Sequence, residues 1–257
     1  MSIIKIKKEE VSPIILLMMM FFCIVGSSIT GASARDTFFL TQFDRSLLPL
    51  MFALVAGLMV VVISIYNKMT SNLDLVKTII FSSVFFCITL FIIRFKLNGF
   101  VIPLFYAWTD VIISITIFQF WLLASEIFNP RQAKRLFSVI GIGGSVAGIS
   151  AGYLMRPFVS QFGAENLLIP TIIFIALIGV FAILLNPFRA KKDNDIREKT
   201  KNETSKNIFD PYLKSILVMV CAAAICSRIV EYQFKITAAT TYSSSAELAS
   251  FFGEYYM

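Results

Sequence analysis

The sequence predicts an all-α, polytopic helical membrane protein. Two observations lead there. Hydrophobic residues make up 57% of the chain and charged residues only 15%, whereas soluble domains run near 45–50% apolar and about 25% charged. Apolar runs of about twenty residues, the length a helix needs to cross a bilayer, recur along the chain. Among its 257 residues are 26 Phe and no His. Without histidine, Ser-His-Asp and Cys-His catalysis and the HExxH zinc site are excluded. No enzyme activity, cofactor or metal is expected. The net charge of +7 fits loops rich in Lys and Arg. No basic stripe interleaved with aromatics appears, so nucleic acid is not an expected partner and the lipid bilayer is. Cys23, Cys87, Cys221 and Cys226 sit in apolar runs, with neither zinc nor CxxC spacing, and are expected as buried small hydrophobes.

A short basic head with Lys5, Lys7 and Lys8 precedes span 1, residues 11–30. Ala32-Ser33-Ala34 resembles a signal-peptidase site, but the run is long for a signal peptide and an uncleaved span is preferred. Spans 2 to 6 are predicted at residues 46–66, 78–93, 100–125, 136–154 and 167–185. Pro130 is expected to end span 4 at or before Asn129, and Asn186-Pro187 to stop span 6. Residues 188–215 form a long hydrophilic segment, and a seventh apolar run covers residues 216–242. The expected organisation is a six-span N-terminal bundle (1–187), a polar linker (188–215) and the start of a C-terminal bundle (216–257), whose missing remainder would complete it. Lys and Arg concentrate in the head and in the segments after spans 2, 4 and 6. By the positive-inside rule the N-terminus and residues 188–215 are cytoplasmic, and a bacterial inner membrane is expected.

Charges inside apolar runs are the candidate functional residues. In span 7, Arg228, Glu231 and Lys235 follow one another at three and four residues, so one helix face carries all three within about 60°. A charge at the bilayer centre costs about 2.5–3.5 kcal/mol on insertion scales and normally faces a bundle interior or a wet cavity. The bland alternative is a self-satisfied ion-pair ladder. Two cations against one anion leave an excess of +1, which a phosphate-bearing substrate would balance. Asp110 lies a third of the way into span 4, either as a substrate or proton site or as a buried partner for a backbone or Trp108 donor. Arg35 and Asp36 fall near the expected end of span 1, where snorkelling is cheap. In span 5, Gly141 and the spacing Gly144-xxx-Gly148-xxx-Gly152 predict a close helix–helix approach. Neither a Rossmann nor a Walker A glycine pattern is present.

Ala34-Arg35-Asp36-Thr37-Phe38-Phe39-Leu40, the Arg135-Leu136-Phe137 lead into span 5, and Glu231-Tyr232-Gln233-Phe234-Lys235 together resemble the ATP/ADP translocases of plastids and obligate intracellular bacteria. That family is similar in architecture to the major facilitator superfamily. The resemblance implies exchange of ATP for ADP, or uptake of a related nucleotide, through charges inside the bundle. It extends to Arg35, Asp36, Glu231 and Lys235, while Arg228 and Asp110 are added on physical grounds. The loop Asn67-Lys68-Met69-Thr70-Ser71-Asn72 lacks the Gly-x-x-x-Asp-Arg pattern of ordinary facilitators. The expectation is a secondary transporter of anionic, nucleotide-like solutes working by alternating access. Its alternatives are a transport-inactive membrane anchor or signalling scaffold, and an ion-coupled carrier of another small solute with Asp110 and Glu231 titrating.

Overall fold

A computed structural model describes residues 8–70, 73–96, 99–189, 211–242 and 244–256. Eight α-helices account for most of them: α1 (Lys8–Gln42), α2 (Leu48–Thr70), α3 (Leu75–Phe95), α4 (Val101–Ile127), α5 (Pro130–Phe162), α6 (Leu168–Leu185), α7 (Pro211–Thr241) and α8 (Ser245–Tyr255). No strand occurs among the described residues. Seven of the described helices are long and apolar enough to cross a membrane, so the chain is an integral, multi-pass, all-α membrane protein.

Contacts divide the chain into two units, Met1–Arg189 with Ala238–Met257, and Ala190–Thr237. In the first, α1 is the central helix, packed against α4, α5, α6 and α8. Leu17, Met20 and Ile24 of α1 join Phe120 of α4, Ile140 of α5 and Ile178 of α6 in one buried apolar cluster. Helix α2 packs on α4, and α3 on α4 and α6. In the second unit, the described part of α7 presents apolar side chains such as Leu217, Val218 and Val220 on its surface. Cys221 and Cys226 are exposed there, contrary to the expectation of burial. An apolar run in a membrane helix reports lipid compatibility and not burial, because lipid tails give no hydrophobic drive to pack. Most of the expected 188–215 linker lies outside the described residues.

Local chemistry sets the helix ends. Helix α4 stops at Ile127 and α5 begins at Pro130, whose missing N–H is no loss at a helix start. The Gln132 side chain accepts from the Asn129 N–H at 3.1 Å, half of a capping box. Gly163 closes α5 at φ 81°, which favours glycine. Helix α6 ends at Leu185 and passes into a 3-10 turn over Asn186–Phe188. Two ion-pair clusters tie helix ends together. Glu10 of α1 accepts from Arg135 (2.7 Å) and Gln132 (2.9 Å) of α5. Arg189, after α6, binds Asp74 at the start of α3 and Glu126 at the end of α4, each at 2.8 Å.

Helix α1 departs most from expectation. It runs unbroken for 35 residues to Gln42 instead of ending near residue 30. No proline lies between Thr30 and Gln42, and the two charges in that stretch find partners inside the unit. Arg35 and Asp36 are therefore interior residues and do not snorkel.

Candidate functional site

Helix periodicity builds the first site. Tyr106 and Asp110 stand one turn apart on α4 and so share a face. Both meet Arg35 of α1. Arg35 Nη1 donates to Asp110 Oδ1, and the guanidinium carbon lies 4.6 Å from the centre of the Tyr106 ring, a cation–π contact. Arg35 Nε and Nη2 donate to the two carboxylate oxygens of Asp36 at 3.1 and 3.2 Å. The Tyr256 hydroxyl, just past α8, donates to Asp36 Oδ2 at 2.5 Å. Phe39, one turn beyond Arg35, packs on Tyr106 with ring centres 5.1 Å apart.

These groups are withdrawn from the surface. The side chains of Arg35, Asp36 and Asp110 are 4%, 0% and 16% exposed. Arg35 is seven residues from the C-terminal end of α1 and Asp110 nine from the N-terminal end of α4, about 10 and 13 Å inward at 1.5 Å per residue. A guanidinium surrounded by two carboxylates and a ring face is well compensated. One cation meets two carboxylates in this cluster. Trp108, one of the alternative donors to Asp110, donates to Thr89 Oγ1 at 3.0 Å.

The second constellation lies on α7. Arg228 Nη1 and Lys235 Nζ each meet one oxygen of Glu231 at 2.7 Å. Exposure falls steeply along the ladder, from 51% for Arg228 through 19% for Glu231 to 1% for Lys235. Both cations bond the same carboxylate. Sequence reasoning grouped all six charged residues. The structure brings Arg35, Asp36 and Asp110 together in one unit and Arg228, Glu231 and Lys235 together in the other.

The glycine helix α5 packs on α1. A Cβ added at Gly144 would lie 2.6 Å from Phe21 Cε1, and one at Gly143 2.8 Å from Met18 Cγ and closer still to the Met18 carbonyl oxygen. Gly148 and Gly152 are buried on the same helix. Gly141, included in the expected stripe, is not at an approach: a Cβ there would meet nothing within 4 Å. It sits 200° around the helix from Gly143, so Gly143 holds the close position.

Three polar partners escaped the sequence reading. Tyr106 carried a usable signal, its one-turn spacing from Asp110. Tyr256 carried none, since it meets Asp36 across 220 residues of sequence. Gln119 of α4 donates to Tyr66 Oη of α2 (2.9 Å) and Ser82 Oγ of α3 (2.8 Å), a buried polar knot among three helices.

No protein-family model matches the chain, and no solved structure matches it. The chain is similar to ADP,ATP carrier protein 1, chloroplastic, of Arabidopsis thaliana, at 23% identity over 167 residues. That alignment covers 58% of this chain and 26% of the carrier, so the chain spans about a quarter of the length of this relative. The partial likeness and the seven apolar helices fit a transporter in general terms.

Proposed function

We propose that the protein is a secondary transporter of anionic, nucleotide-like solutes. The observation that carries this reading is the α7 ladder, where Arg228 and Lys235, two cations on one helix face, both meet the Glu231 carboxylate. Phosphate oxygens accept charge-assisted hydrogen bonds from guanidinium and ammonium alike. In this reading Arg228 and Lys235 take phosphate oxygens in turn with Glu231, which holds them in place while the site is empty. The likeness to a chloroplast ADP,ATP carrier supports a nucleotide over other anions. Exchange of ATP for ADP by alternating access follows as the working mechanism. Close packing of α5 on α1 through Gly143 and Gly144 keeps those two helices moving as one body.

Uptake of labelled ATP and ADP into proteoliposomes carrying the protein is the test. Losing a charged hydrogen-bond partner costs about 1.5–3 kcal/mol, so Arg228→Ala and Lys235→Ala are expected each to lower apparent affinity about tenfold or more. Unchanged uptake in both variants, with ATP still transported, would refute the ladder as the binding site.

A further inference from the structure

A groove of about 370 Å³ runs between α1, α5 and α6 of the first unit, and none of its lining residues is charged. Phe22 of α1 and Phe174 of α6 mark one end, edge to face with ring centres 6.1 Å apart. Thr30 brings a hydroxyl to the lining, but that hydroxyl donates to the Gly26 carbonyl at 2.9 Å and lies 2.8 Å from Thr171 Oγ1. Ser150 in mid-helix and Gln161 in the last turn of α5 are the other polar residues of the lining.

Along α5 the lining extends from Ala147 to Phe162, about 22 Å at 1.5 Å per residue. One bilayer leaflet, head groups included, is about 20–22 Å thick. Helices α1, α5 and α6 are each long and apolar enough to span a membrane, so the long axis of the groove follows the lipid tails. Spread over that length, 370 Å³ gives a channel of roughly 17 Å² in section, whereas a helix about 10 Å or more across needs about 80 Å². The groove accepts a hydrocarbon chain and is too narrow for a helix of a second copy. Its rim continues into the lipid-facing surface. Leu154 and Phe162 line it and are 59% and 57% exposed, and Ile173 and Leu177, beside Phe174 on α6, carry the exposed apolar surface onward.

We propose that this groove holds one membrane phospholipid, with an acyl chain lying along α5 between α1 and α6 and the head group at the Gln161 end. Polarity follows that order. Gln161 stands next to the last residue of α5, while Phe174 lies seven residues beyond Leu167, about 10 Å deeper along α6. Hydrophobicity alone cannot retain the lipid, because bulk tails are equally apolar. Close packing of the chain against three helices retains it, together with a hydrogen bond from the Gln161 amide to a head-group oxygen. The site rests on the fold alone, so its test needs no transported solute.

Native mass spectrometry of the protein reconstituted with phosphatidylcholine and then washed in detergent tests the site. The expected result is one phospholipid retained per chain after the looser surface lipid has gone. Leu154→Trp, at the exposed rim, and Ala151→Phe, on the groove wall, should each lower that retention about tenfold or more. Val60→Phe, on the exposed apolar surface of α2, should leave it unchanged. In the wild-type complex, phosphatidylcholine with a photoreactive group on its acyl chain should label groove residues such as Leu154 and Phe158. That label decides the matter should neither groove variant fold. Loss of all lipid in the wash, equal retention in every variant, or label confined to other faces would overturn the inference. A washed complex of dimer mass that Leu154→Trp returns to monomer would overturn it too, and assign the groove to a second copy.

Discussion

Substituting alanine at Gly143 and at Gly141 gives a matched experiment on one helix, two residues apart. At Gly143 the added Cβ would lie 2.8 Å from Met18 Cγ, 3.0 Å from the Met18 carbonyl carbon and nearer still to the carbonyl oxygen. Ordinary carbon contacts begin near 3.5 Å, so the overlap is more than about half an ångström against backbone atoms. Backbone cannot turn away as a side chain can, and α1 and α5 must separate. Overpacking of this kind costs about 1–3 kcal/mol. Opposing it is the usual gain of about 0.5–1 kcal/mol when alanine replaces glycine inside a helix. A net loss near 1–2 kcal/mol is expected for Gly143→Ala. At Gly141 nothing lies within 4 Å, so only the helix gain remains and Gly141→Ala is expected to stabilise. Thermal unfolding in detergent micelles reads the pair, at about 2–4 °C per kcal/mol for a chain of this size. Equal shifts for the two variants, or a stabilised Gly143→Ala, would refute the placement of α5 against α1.

Arg35→Met removes the cation shared by two carboxylates and is expected to cost about 3–5 kcal/mol in the same unfolding measurement; adding Asp110→Asn should recover part of that loss. Tyr256→Phe deletes the hydroxyl donor to Asp36 and is expected to cost about 1.5–3 kcal/mol, with no change in insertion. Outside the spans, Arg189 sets a pH dependence. Burial pushes the Asp74 carboxyl up, but the hydrogen bonds and charge of Arg189 outweigh it and hold it below its ordinary value. A carboxylate depressed on folding adds stability that is complete above its unfolded value, about 3.9, and is lost as pH falls through the folded one. Because Asp74 is well exposed, screening limits the effect to under about 1 kcal/mol. Asp74→Asn should abolish that acid limb in a pH titration of the melting temperature.

Helices were legible in the sequence wherever apolar length decides them, and so were breaks carrying chemistry of their own, such as Asn129-Pro130 and Asn186-Pro187. The extent of α1 was not legible, because Arg35 and Asp36 looked like a span end. Their partners on α4 and beyond α8 help make them tolerable inside the bundle. Asp110 was recognisable as a costly carboxylate, yet a lone charge in one span names no partner in another. The α7 ladder was legible because its members are helical neighbours, three and four residues apart. The choice between Gly141 and Gly143 was hidden by a repeat of small residues that reads alike in two helical phases, and neighbouring side chains on α1 settle it.

Exposure separates the roles of the residues within each constellation. Asp36, saturated by donors, and Arg35, held by two acids and a ring, are fixed parts. Asp110 and Arg228 are the most exposed members of their groups. Substitutions should divide accordingly: Asp36→Asn and Arg35→Met lower stability first, while Asp110→Asn and Arg228→Ala retain the fold. Melting temperatures of the same four variants check that division. A large loss of stability in Asp110→Asn, matching that of Arg35→Met, would refute it and show the carboxylate to be a structural counter-ion.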